Sequence, residues 1–252
     1  MLFLSLALLA SPSVQSSTQD VADKYFRQEP ISLVGMARGE AQRVIEARLN
    51  DGVFLRNPWI ARERGLLETP VTLGLYGTRG RELWRNFTDA RRAEFGTIAV
   101  PRSGPAEKLE WSWIRGWLDA ASILTRSRAM EQLDPLAYVR RAERTLAALV
   151  DAERPSVEDR AEELNEVLIA IPEFWERARR SLVNPRRQFA EAALEALPEL
   201  EQWMRDIPAA LDDMHWDPTF ELFFEQHLRR ALAETEAFRG SLEDSLLSLI
   251  HI

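Results

Sequence analysis

The feature that most constrains this chain is a run of eight apolar residues. Val157, Ala161, Leu164, Leu168, Ile171, Trp175, Ala178 and Leu182 are spaced alternately by about four and three. On a helix that spacing puts all eight on one stripe, whereas a strand would scatter them over both faces. It predicts the seam of an antiparallel helical hairpin. Ser156 and Asp159 stand in capping-box spacing at its start. Pro172 interrupts the run, so a kink or break is expected near Ile171.

Helical periodicity dominates everything after Arg38. One helix is expected from Gly39 to Leu49, closed by the turn Asn50-Asp51-Gly52, and a charged one from Gly80 to Phe95. The loop Pro101-Arg102-Ser103-Gly104-Pro105 precedes a long helix from Ala106 to Met130. Asp134-Pro135 reads as an N-cap with proline at the first helical position, opening a helix to Val150 that buries Leu136, Val139, Leu146, Leu149 and Val150. Asn184-Pro185 is expected to start a helix with Phe189, Ala193, Leu197, Leu200 and Met204 inward, bent at Pro198. Ile207-Pro208 and Asp217-Pro218 mark the last two starts, and Phe220, Phe224, Leu228, Ala231, Thr235 and Phe238 line the final helix. Only Val71-Thr72-Leu73 and Thr97-Ile98-Ala99-Val100 look extended. The fold class is therefore all-α, an antiparallel bundle or array of about eight helices with short loops.

Composition narrows the function classes. The 252 residues carry a net charge of −8, so the chain as a whole has no basic footprint and no nucleic-acid partner is expected. Arginine outnumbers lysine thirty to two, as in proteins of GC-rich bacterial genomes. Arg179-Arg180 and Arg186-Arg187 could bind anions, but the glutamates around them favour solvated ion-pair faces. Cysteine is absent, which excludes disulfides, thiolate metal sites and a cysteine nucleophile in these residues.

Leu2 to Ala10 is a short apolar run followed by small polar residues to Ser17, the pattern of a secretory leader, although no basic residue precedes it. Residues 1–17 are read as that leader, which implies a secreted or periplasmic protein. No segment is apolar enough to span a bilayer. Residues 247–252, Leu-Ser-Leu-Ile-His-Ile, are what the string CTGTCTCTTATACACATC encodes, an end left by a common transposase-based library preparation. They are read as an adaptor artefact, with residues 18–246 the helical N-terminal region of a larger domain.

No catalytic, cofactor-binding or metal residue is assigned from the residues themselves. His215, His227 and His251 lack the His-Glu-x-x-His arrangement. His227 follows Glu221 and Glu225 and could pair with a carboxylate, but a packed or partly exposed histidine is the expectation. Gly74, Gly77 and Gly80 match neither a dinucleotide loop nor a P-loop and read as a connector. Glu162-Glu163 should face water. Trp111, Trp113 and Trp117 are expected in a core rather than in an aromatic groove.

Three segments in order carry a resemblance. They are Asp134-Pro135-Leu136-Ala137-Tyr138, then Leu168-Ile169-Ala170-Ile171-Pro172-Glu173-Phe174-Trp175-Glu176-Arg177-Ala178 continuing to Leu182, then Asn184-Pro185-Arg186-Arg187-Gln188-Phe189-Ala190-Glu191-Ala192-Ala193. Together they resemble the N-terminal half of the bacterial family called domain of unknown function 885, over about a quarter of the chain. The chain departs from the family pattern at Arg186, where a second proline is usual, and at Phe189-Ala190, where Thr-Glu is usual. The resemblance implies a mostly helical, often secreted, zincin-like metallopeptidase of roughly twice this length. It also implies a His-Glu-x-x-Pro-Gly-His helix in the C-terminal half, with zinc as cofactor and a peptide-like substrate. None of those catalytic residues has a counterpart here. The implied partner of this segment is thus the missing catalytic half, and the segment alone should be inactive. The alternative is a complete, non-enzymatic periplasmic helical binding protein.

Overall fold

The structure is a computed structural model that describes residues 56–63, 72–74, 76–97, 105–126, 130–150, 157–211 and 217–250. The expected leader, the helix from Gly39, the loop at 101–104, Ile98 to Val100, Ser156, His215 and His251 lie outside these residues. Every regular element among the described residues is a helix. They are α1 (Pro58–Glu63), α2 (Gly77–Gly96), α3 (Pro105–Arg126), α4 (Met130–Leu133), α5 (Pro135–Val150), α6 (Val157–Ser181), α7 (Arg187–Ala210) and α8 (Pro218–Ile250). Thr72 and Leu73, expected to be extended, form no strand; Leu73 is instead a buried coil residue.

The described residues fall into two compact units. In the first, residues 82–96 of α2 lie against α3. Phe95 meets Trp111 with ring centroids 4.1 Å apart, the Arg92 Nε stands 2.8 Å from Asp119, and the Ser122 hydroxyl donates to Asp89 at 3.0 Å. One number falls as the other rises, so the two helices run antiparallel.

The second unit is built on α5 to α8, with α5 and α8 each packed against both α6 and α7. The predicted stripe is its centre: Ala161, Leu164, Leu168, Ile171, Trp175 and Ala178 are wholly buried. Its main partner is not the neighbouring helix of a hairpin, however, but α8. Asn165 bonds His227, and the Trp175 indole N–H donates to the Thr235 hydroxyl at 2.8 Å while stacking on Phe238 at 4.5 Å. Both numbers rise together, so α6 and α8 run parallel. Each buried side chain removes on the order of 2 kcal/mol of apolar surface from water, enough for this long-range seam to outweigh chain proximity.

Two helix starts follow their capping chemistry. Asp134 Oδ1 accepts the Ala137 N–H at 3.2 Å, and Asp217 Oδ1 accepts those of Thr219 and Phe220 at 2.8 and 3.2 Å. Two proline expectations are corrected, the break near Ile171 and the helix start at Ile207-Pro208. Helix α6 runs through Pro172 and α7 runs through Pro198 without a break, and Pro208 lies inside the end of α7 rather than opening a new helix. A lost backbone hydrogen bond is tolerated where buried residues on both sides hold the helix, as Ile171 and Phe174 do around Pro172 and Ile207 and Leu211 around Pro208. Helix α7 starts at Arg187, later than Asn184-Pro185, because the connection is tied elsewhere. The Val183 and Arg186 N–H groups donate to the carbonyls of Gln132 and Leu133, satisfying the otherwise unpaired C-terminal end of α4. Asn184 takes a φ of 51° to make that turn.

Candidate functional site

His227 is the described residue with the most obvious chemical potential. It sits half-buried on α8, with Nδ1 2.8 Å from Asn165 Oδ1 and its ring stacked beside Phe223. Its partner is an amide, not Glu221 or Glu225. Burial and then the nearby Arg230 charge hold its pKa below the usual histidine value, so the neutral ring is favoured. On α6, Glu166 has its pKa raised by burial and by Glu162.

A second cluster surrounds the start of α2. The Tyr76 ring packs edge-on against Phe174, and Arg177 lies over its face. Burial is the main reason its phenol is pushed up to about 12. Arg177 is paired with Glu173 one turn away. Two of the glycines beside this cluster, Gly74 and Gly77, are closely packed. Gly74 has a φ of 65°, its N–H is taken by the Thr72 hydroxyl, and a Cβ there would lie 2.2 Å from the Arg56 carbonyl oxygen. Gly77 has a φ of 67°, and a Cβ there would lie 3.0 Å from the Ser181 hydroxyl.

Three of the four arginines in the Arg179-Arg180 and Arg186-Arg187 pairs lie in ion pairs, as expected: Arg179 binds Glu234, Arg180 binds Glu176 and Arg187 binds Glu191. Glu162 faces water and Glu163 is half-buried. Trp111 is buried and Trp117 half-buried, but Trp113 is 69% exposed, which corrects its expected place in a core. The reason is angular. Trp111, Ile114 and Leu118 already supply the face of α3 turned inward, and Trp113 projects from the other side.

Sequence reasoning missed two residues that organise the second unit. Arg141 Nη1 donates to the carbonyls of Arg56 and Leu73, at 2.8 and 3.1 Å, and its guanidinium covers the Trp59 ring. Glu201 is a buried carboxylate on α7 that receives Arg239 of α8 at 3.1 Å and Arg205 at 3.5 Å. A signal existed for Glu201, which lies four residues after Leu197 on the inward face of α7. Arg141 had none to separate it from Arg140.

Among the described residues no group of three or more histidines, cysteines or carboxylates is placed to hold a metal ion. None of these helices is long and apolar enough to cross a membrane.

No protein-family model matches the chain, and no curated protein is significantly similar to it. Among solved structures, the chain is similar in fold to a Shewanella oneidensis protein described as a putative lipoprotein of unknown function, with a TM-score of 0.72 at 15% sequence identity. The match covers 86% of this chain but only 39% of that one, so this chain spans well under half the length of the protein whose fold it shares.

Proposed function

We propose that this chain is the helical N-terminal part of a longer, exported, peptidase-like hydrolase, in which it forms one wall of the substrate cleft while the catalytic zinc motif lies in the remainder. The observation that carries the reading is the likeness of 86% of this chain to just 39% of a longer helical protein that bears a lipoprotein description. A helical array of this kind thus occurs as a portion of a larger chain, and the description of that neighbour fits a secreted or periplasmic location. The ordered motifs from Asp134 to Ala193 supply the link to a zincin-like family. On this reading the described residues contribute shape and docking surface, not the reacting groups.

The test is a long read of the source locus past the codon for Leu246, followed by expression of the extended frame. A frame reaching a His-Glu-x-x-Pro-Gly-His motif, with peptide hydrolysis that a chelator abolishes, is the expected result. Chelator-sensitive turnover by the present chain alone, or a frame that stops after Ile252, would overturn it. The second of these results would leave a helical binding protein as the better account.

A further inference from the structure

The side of α3 turned away from its packed face carries Leu109, Trp113, Gly116, Ala120 and Ile123, again spaced by four and three residues. Leu109 is 72% exposed, Trp113 69% and Ile123 67%, and Gly116 and Ala120 are exposed with them. No charged residue falls within this stripe. The opposite side of the same helix is buried through Trp111, Ile114 and Leu118. Helix α3 is therefore apolar on two sides, and packing among the described residues uses only one.

One edge of the stripe is basic. Lys108 and Arg115, seven residues apart, lie on the same flank and are exposed. Asp119, the next residue on that flank, is held by Arg92 at 2.8 Å and adds no net negative charge there. An uncharged stripe with an exposed tryptophan and a cationic border is the pattern of a helix that lies in the plane of a bilayer surface. The size of the stripe points the same way. Its exposed apolar area is on the order of 400 Å², large for an isolated patch yet about half of what each partner contributes to a standard protein interface. The Trp113 indole N–H is the one side-chain hydrogen-bond donor on the stripe, so little on it would set the register of a protein partner.

We propose that the Leu109–Trp113–Ile123 face of α3 is a peripheral membrane contact that docks on an anionic phospholipid surface. This inference goes beyond the proposed function and does not rest on it, since it uses only α3 and its border.

The experiment is vesicle flotation of the full chain. It uses phosphatidylglycerol–phosphatidylethanolamine vesicles and, separately, phosphatidylcholine vesicles, with circular dichroism confirming the fold of each variant. The wild type should float with the anionic vesicles, with a blue shift of tryptophan emission. Trp113→Asp should lower the bound fraction about tenfold, because it puts a charge where an apolar ring enters the interface. Lys108→Glu with Arg115→Glu should lower binding to anionic vesicles by at least about tenfold, roughly fivefold for each basic residue lost, and leave the weaker binding to neutral vesicles unchanged. As surface substitutions, these should leave the fold intact. Leu109→Asn serves as a second apolar-face variant should Trp113→Asp not fold. Failure of the folded wild type to float, or undiminished flotation of both apolar-face variants, would overturn the proposal. So would a dimer seen by light scattering that Trp113→Asp dissolves, which would assign the face to a second copy of the chain.

Discussion

Replacing Gly74 by alanine tests the joint that ties residues 56–58 and 72–74 to α5. Two costs combine. Gly74 has a φ of 65°, where an L-residue is strained by about 1 kcal/mol. The added Cβ would lie 2.2 Å from the Arg56 carbonyl oxygen, 2.9 Å from its carbon and 2.8 Å from the Pro58 ring. None of these is the end of a flexible side chain, so one backbone segment must move by about 1 Å to restore ordinary contact. The displaced carbonyl accepts Arg141 Nη1 at 2.8 Å, and the same nitrogen bonds Leu73 O at 3.1 Å. Losing a hydrogen bond from a charged donor at a partly buried site costs about 1.5–3 kcal/mol. The sum for Gly74→Ala is about 2.5–4 kcal/mol, read from urea titrations followed by circular dichroism. Arg141→Met should cost about 1.5–3 kcal/mol through the same bonds. The double variant should therefore lose at least about 1 kcal/mol less than the two single losses added together. The same exchange at Gly240, on α8 with nothing within 4 Å of the added Cβ, should instead stabilise by about 0.5–1 kcal/mol. A Gly74→Ala loss under about 1 kcal/mol, or strict additivity with Arg141→Met, would falsify the account of this joint.

Further outcomes follow from individual contacts. Thr235→Val keeps the shape of the α6–α8 seam but leaves the buried Trp175 indole N–H without its acceptor, and should cost about 1–3 kcal/mol by chemical denaturation. His227 has a folded pKa below its unfolded value, so its neutral form contributes stability that is present above pH 6.5 and lost as pH falls through the folded pKa. The drop in unfolding midpoint on acidification from neutral pH should therefore be smaller in His227→Gln. Glu166 has the opposite sign: its pKa is raised in the fold, so the ionised carboxylate is disfavoured at neutral pH. Glu166→Gln should be more stable than wild type at pH 7, and that advantage should vanish below pH 4.5. Pro198→Ala, at an exposed position inside α7, restores a backbone donor and should raise the unfolding free energy by about 1–3 kcal/mol.

The all-α class, the inward residues of α6 and α8, and the Asp134 and Asp217 caps are legible in the sequence, because each depends on spacing or on a side chain acting on backbone within four residues of itself. Local signals misled where a tertiary contact competes with them. Proline reads as a stop, yet α6 and α7 continue through Pro172 and Pro208, held by packed residues whose partners lie on other helices. The start of α7 shifts to Arg187 because the chain before it bonds to the end of α4, some fifty residues earlier. Trp113 looks like its neighbours in composition, and only the packing of α3 against α2 decides which tryptophan turns outward. Pairing has the same origin. A stripe states that a face will be buried but not against what, since burial of apolar surface is non-directional. Topology therefore made α8, parallel and some sixty residues away, the partner of α6. Arg141 became a half-buried anchor rather than a surface charge like Arg140 for the same physical reason: the carbonyls of Arg56 and Leu73 reach it only once the chain has folded.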